Sequence, residues 1–271
     1  MTQNTESDPI ADVRKIPVWA FIVLAIVYPA ILLALIRLLT ADLYVRYGRF
    51  TSVEALWRAL LVPYGTAVVF VVAAVMVLGW WRPVLRDHRP VRRWVRGVPI
   101  IMGVAVLGGI NYPELADKGA SFTLLLLLGA LLVGCGEEAM YRGVGVTTFR
   151  VNGYSEGKVA LWSSVVFGVC HGVNLFTSQG KIAFAQALVA VAAGYFLYLI
   201  RRVGGGLLLP VMVHGLWDFG SFTALLSDDG AVYPGTGLLF ALADLLIVGI
   251  LLVRRRRIEP EERAAGTPAT A

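Results

Sequence analysis

Charge is scarce in this 271-residue chain: Asp, Glu, Lys and Arg make up 15% of it, against roughly 25% in an average soluble domain. Histidine occurs three times and cysteine twice, and only four of the 24 basic residues are lysine. So few charges exclude an ordinary water-exposed surface, and two cysteines, Cys135 and Cys170, exclude a disulfide framework. Both lie in apolar runs and read as small buried residues. No internal repeat links the two halves, which weakens an inverted-repeat transporter reading. Apolar residues take the remaining space: 58% of the chain is hydrophobic, and the mean hydropathy is +0.73.

A helix needs roughly 20 mainly apolar residues to cross a bilayer. Runs of that kind recur over Ile16 to Ile36, Ala59 to Trp81, Gly97 to Pro113, Ala120 to Gly136, Val159 to Gly180, Ile182 to Ile200, Val203 to Leu226 and Ala231 to Val253. The expectation is an all-α, polytopic membrane bundle of about eight helices. The third run is short enough to be re-entrant or interfacial instead. The first is too long for a signal-peptide core and has no small-residue cleavage site, so it is expected to stay as a span. The polar segments 1–13 and Glu259 to Ala271 are expected to be disordered.

The formal charge of +6 does not point to nucleic acid, because the basic residues cluster between alternate spans. With the N-terminus inside, 18 of the 24 lie on the inner side, including Arg14 and Lys15, the Arg82 to Arg96 loop, Arg201, Arg202, Arg254 to Arg257 and Arg263. The positive-inside rule then makes both termini cytoplasmic and the protein multi-pass in the cell membrane. The Arg82 to Arg96 loop reads as a topology anchor on anionic lipid.

Against this background, ionisable groups within the spans are functional candidates, since each costs roughly 2.5 to 3.5 kcal/mol at bilayer centre on insertion scales. Glu137 and Glu138 are adjacent, whereas Glu138 and Arg142 are four apart and share a helix face. Arg142 can therefore hold Glu138 ionised and leave Glu137 for general acid or base work. A glutamate pair at a helix end with a snorkelling arginine is the bland alternative. Phe167 can pack on His171 four residues on, with Asn174 one turn further able to bond the ring; a helix-packing histidine is the alternative. His214 and Asp218 repeat the spacing, so the carboxylate or a shared water can fix the imidazole tautomer, unless the pair is only a clamp between helices. His88, in the basic loop, reads as solvated. Arg37 and Asp244 fall towards the outer ends of their spans, to pair or to snorkel.

At 1.5 Å per residue, Glu137, His171 and His214 lie about 18, 20 and 15 Å inward from their cytoplasmic helix ends. They meet at one depth, in a cavity expected to open on the cytoplasmic side.

The ordered set Glu137-Glu138 with Arg142, Phe167 with His171, and His214 with Asp218 resembles the EExxxR, FxxxH and HxxxN/D motifs of the CPBP intramembrane proteases, which include the CAAX prenyl endopeptidases. The likeness covers about Ser121 to Phe219. It implies a catalytic core over residues 121–226, after a tail to residue 15 and variable helices over 16–120, and followed by a last helix over 227–258 and a tail over 259–271. It also implies hydrolysis of a peptide bond in a membrane-associated protein or peptide. Glu137 would activate water with help from His171, His214 and Asp218 would stabilise the oxyanion, and Glu138 and Arg142 would support them. Asp218 stands where asparagine is common, which bears on the charge of the site.

The cofactor stays open. Two histidines and a carboxylate make a possible zinc set, His171, His214 and Glu137, but the compact HExxH signature is absent, and metal-independent catalysis is preferred. The arginine-rich, lysine-poor composition suggests a GC-rich bacterial genome, in which a prenylated substrate is not expected. A non-proteolytic immunity or scaffold protein of the same fold and a proton-coupled transporter are the competing functions.

Overall fold

In hydrocarbon every backbone N–H and C=O must find its partner within the segment, so long apolar runs fold as helices. The structure, a computed structural model, describes residues 13–43, 49–176, 182–227, 231–254 and 258–259, and among these it is all-helical. The expected disorder of residues 1–13 and 259–271 and the inner-side placement of Arg255, Arg256, Arg257 and Arg263 fall almost wholly outside the described residues.

Among the described residues, six helices are long and apolar enough to cross a membrane: α1 (Val18–Leu39), α2 (Val53–Leu78), α4 (Ala120–Val151), α5 (Glu156–Phe176), α6 (Ile182–Gly204) and α8 (Pro234–Arg254). Between α2 and α4, α3 (Arg93–Gly109) breaks and continues as Tyr112–Lys118 at 58°, a broken span or a re-entrant loop. The break follows from Asn111 and Pro113. The Asn111 side chain caps the second piece by accepting from Glu114 N at 3.4 Å, and Pro113 sits in its first turn. The remaining element, α7 (Leu208–Thr223), has 16 residues and reaches only about 24 Å. About eight transmembrane elements is therefore the right architecture, with one bent and one short.

Hydrogen bonds between distant parts of the chain sort the helix ends onto two faces. On the first, Trp80 Nε1 donates to Arg14 O, Asn152 Nδ2 to Ile16 O, and Leu207 N to Leu85 O. On the second, Arg37 donates to Phe176 O, Asn111 N to Thr223 Oγ1, and Arg49 to Ser227 O. Arg37 thus has a carbonyl partner at the end of α1. Asp244 lies half-buried midway along α8 rather than near its outer end.

The basic loop lies on the first face, and it docks onto protein. Asp87 is buried and accepts from Arg150 at 2.9 Å and Arg201 at 3.1 Å. Arg201, fully buried, also donates to the carbonyls of Pro83, Val84 and Arg86. Arg89 and Arg150 both pair with Glu156. A buried carboxylate turns part of the loop inward and stitches it to α4, α5 and α6, while Arg82, Arg86, Arg93 and Arg96 stay exposed. His88 is exposed, as expected.

Candidate active site

The site depends on how closely α4 and α7 approach. A Cβ on Gly134 would lie 2.6 Å from Val211 O and 2.8 Å from Gly215 N, and one on Gly215 would lie 3.0 Å from Ala130 O. Backbone against backbone at this distance requires glycine on both helices. Just beyond Gly134, residues Glu138–Gly145 are wound as a π-helix. Such wide turns occur frequently at functional sites, and this one carries the whole of Glu138-x-x-x-Arg142.

Glu138 is the hub of the charged cluster. Its Oε1 lies 2.8 Å from His214 Nδ1 and 3.0 Å from Arg142 Nη1, and both carboxylate and guanidinium are fully buried. The ion pair with Arg142 holds by distance, although the N–H directions miss hydrogen-bonding alignment. Arg142 gains a second contact by lying 3.9 Å over the Phe167 ring, a cation–π arrangement that favours a desolvated arginine.

Phe167 then serves both histidines. Its ring meets His171 edge-on at 4.5 Å and His214 at 5.9 Å, as the Phe167–His171 spacing suggests. Its carbonyl lies 2.9 Å from His171 Nδ1. A carbonyl can only accept, so Nδ1 carries the proton and neutral His171 presents a bare Nε2. Glu138, paired with Arg142, imposes the same tautomer on His214. The expectation that Asp218 fixes this ring is corrected here: Asp218 Oδ2 stands 3.6 Å from Nε2, on the opposite edge of the imidazole. Asn174 donates to Gln186 at 2.8 Å, and the His171 ring is oriented instead by Phe167 O.

Both Nε2 atoms converge on Glu137. Its Oε2 lies 3.9 Å from His171 Nε2 and 3.8 Å from His214 Nε2, too far for direct hydrogen bonds and close enough for one water to touch the carboxylate and an imidazole. This oxygen is buried and has no hydrogen-bond partner among the described residues.

Two cavities meet at Glu137 and His171. One, of about 320 Å³, is bordered by Tyr28, Leu32, Arg37, Thr40, Tyr141 and Phe176; the other, of about 270 Å³, by Gln186, Val189, His214, Asp218, Ser221 and Leu225. Both run towards the second face. The expected opening on the side of the basic loop is therefore reversed. Depth arithmetic locates residues along a helix but does not say towards which end a cavity runs, and here the Asp87 network packs the loop against the helix ends of the first face. The cysteines are free and half-buried, more open than the sequence suggests, and Cys170 borders the first cavity.

Sequence reasoning missed Tyr28, Tyr141 and Gln186 on the cavity walls. Tyr28 offered one signal, a phenol in the middle of an apolar run, where the hydroxyl needs a partner.

Residues 119–220 match the family described as type II CAAX prenyl endopeptidase Rce1-like. The matched stretch contains every motif residue from Glu137 to Asp218, and over it the chain is similar to that family, which supports a CAAX-type intramembrane protease fold. No curated protein and no solved structure matches the chain.

As for zinc, no group of three or more His, Cys, Asp or Glu among the described residues has an arrangement that could hold a metal ion. The two Nε2 atoms face one carboxylate oxygen at 3.8 and 3.9 Å, whereas zinc bonds of about 2.0 to 2.1 Å draw tetrahedral ligands closer together than that. The side chains as placed do not fit the ion.

Proposed function

We propose that this protein is an intramembrane endopeptidase that hydrolyses a peptide bond of a membrane-associated protein or peptide with a water held between Glu137 and His171. The observation that carries the reading is the Glu137 carboxylate oxygen, buried and unpartnered between two imidazoles at the junction of two cavities.

A water lying there donates one hydrogen to Glu137 Oε2 and the other to the bare Nε2 of His171, which aims its lone pair into the cavity. As it attacks, a C–O bond forms, the carbonyl π pair moves onto oxygen, and the water proton passes to Glu137. Collapse expels the amine, which takes that proton back. His214, when protonated at both nitrogens, donates from Nδ1 to Glu138 and from Nε2 towards the oxyanion, with Asp218 beside it. Glu138 and Arg142 hold His214 in place. Cavities on both sides of Glu137 suit a chain that continues past the cut in each direction, as an endopeptidase requires.

The route is proposed as metal-independent, in the cell membrane with cytoplasmic termini, on a substrate without a prenyl group. Glu137→Ala, His171→Ala and His214→Ala should each give a folded protein without cleavage. Full activity in any one would remove the role assigned to it. Stoichiometric zinc in active protein, with activity lost to a chelator and restored by zinc, would replace the metal-free route.

A further inference from the structure

The buried Tyr28 hydroxyl is a polar group that the steps above leave unused. Tyr28 lies on α1, far outside residues 119–220, and is 1% exposed. Its ring meets Tyr141 edge-on at 6.2 Å, and Tyr141 in turn meets Phe167 at 5.2 Å, so aromatic packing ties α1 to the histidines. The hydroxyl lies against Gly136, where an added Cβ would come within 2.4 Å of it. Gly136 directly precedes Glu137, and Tyr28, Glu137 and His171 border the same cavity.

Tyr28 borders that cavity, and its buried oxygen has no hydrogen-bond partner among the described residues; neither has the buried Glu137 Oε2. A buried hydroxyl is ordinarily satisfied, and two orphaned groups on one cavity wall are complementary to a polar ligand between them. The neighbouring donors are committed: Tyr141 to Ala25 O at 3.4 Å, Cys170 to the same carbonyl at 3.2 Å, and His171 Nδ1 to Phe167 O. Glu137 only accepts when ionised, and neutral His171 presents a lone pair.

We infer that Tyr28 is a further catalytic residue, whose hydroxyl donates a hydrogen bond to the carbonyl oxygen of the scissile peptide and holds the oxyanion as water adds. This rests on the peptidase reading of the same site. Tyr28 keeps its own proton throughout. The carbonyl π pair moves onto the oxygen that Tyr28 contacts, and returns when the amine leaves. Because a phenol donates irrespective of the charge on His214, the oxyanion has a donor even when that imidazole is neutral. The active site is then built partly from α1 and is incomplete in the matched segment alone.

The test uses full-length protein as wild type, Glu137→Ala and Tyr28→Phe in the native membrane, with new peptide termini labelled and quantified by mass spectrometry. A peptide spanning the cut found in this way is then used to measure kcat and KM on purified protein. The expected result is termini absent with Glu137→Ala, and with Tyr28→Phe a kcat lower by about 10²-fold, the loss typical of one oxyanion donor, at a KM within about twofold of wild type. Phenylalanine removes no protein hydrogen bond, so thermal stability should hold; if it does not, Tyr28→Trp and Tyr28→Leu, which also lack the hydroxyl, must show the same kcat loss per folded molecule. Termini lost in Glu137→Ala while Tyr28→Phe cleaves at the wild-type rate would overturn the role of Tyr28 alone. Termini identical in wild type and Glu137→Ala would overturn the peptidase reading and this inference with it.

Discussion

Glu137 and Glu138 are neighbours in sequence and opposites in circumstance. Glu138 is engaged on one side, with His214 and Arg142 both on Oε1 and Oε2 buried without a partner among the described residues, whereas Glu137 has no partner within hydrogen-bond distance on Oε2 and borders both cavities. The i, i+4 spacing to Arg142 already separated the two in the sequence, because it gave only Glu138 a partner. The Glu138–His214 bond spans 76 positions, and nothing local encodes it. For that reason Asp218, four residues from His214, looked like the orienting group. Glu138→Gln should therefore be costly twice over: it leaves Arg142 buried without a counter-charge, at about 3 to 5 kcal/mol, and frees His214 to turn. A thermal midpoint together with kcat would show both losses. Asp218→Asn, by contrast, should keep the fold and change the rate by less than about tenfold, since the Glu138 bond still holds the ring.

At the scale of elements, the meeting of α4 and α7 decides whether the motifs form a site. Spans were legible from apolar runs, and α4 does continue through the glutamates to Val151. The π-helical turn and the Gly134–Gly215 contact were not, because each depends on a neighbouring helix rather than on periodicity. Gly134→Ala puts a methyl group 2.6 Å from Val211 O and 2.8 Å from Gly215 N, so the helices must part. We expect activity to fall at least about tenfold, because small misplacements of catalytic groups are costly. The same change at Gly103, where nothing lies within 4 Å, should be tolerated. Comparing cleavage per folded molecule for the two variants separates helix spacing from glycine loss in general.

For the whole molecule, charge segregation was legible in the sequence and its structural use was not. The Arg82 to Arg96 loop carries one acidic residue, Asp87, and that residue binds the loop to Arg150 and Arg201. Burial pushes the Asp87 carboxyl up, but the Arg150 and Arg201 guanidiniums outweigh it and hold it below the ordinary carboxylate range. A depressed carboxyl stabilises the fold fully above its unfolded pKa near 4, and the contribution fades as pH falls through the lower folded value. Acid unfolding should thus set in at higher pH for Asp87→Asn than for wild type, and its thermal midpoint at neutral pH should drop, both readable by thermal shift in detergent. Both cavities at Glu137 run towards the second face, the side from which the proposed substrate would enter.

Peptide hydrolysis at Glu137 is the central claim, and purified protein in lipid vesicles tests it most directly. Wild type and Glu137→Ala are incubated in ¹⁸O-labelled water with a membrane peptide that spans the cleavage site, and products are weighed by mass spectrometry. Wild type should release two fragments, with one ¹⁸O in the new carboxylate, and Glu137→Ala should release them at least about 10²-fold more slowly. Equal release by the two proteins would contradict the account.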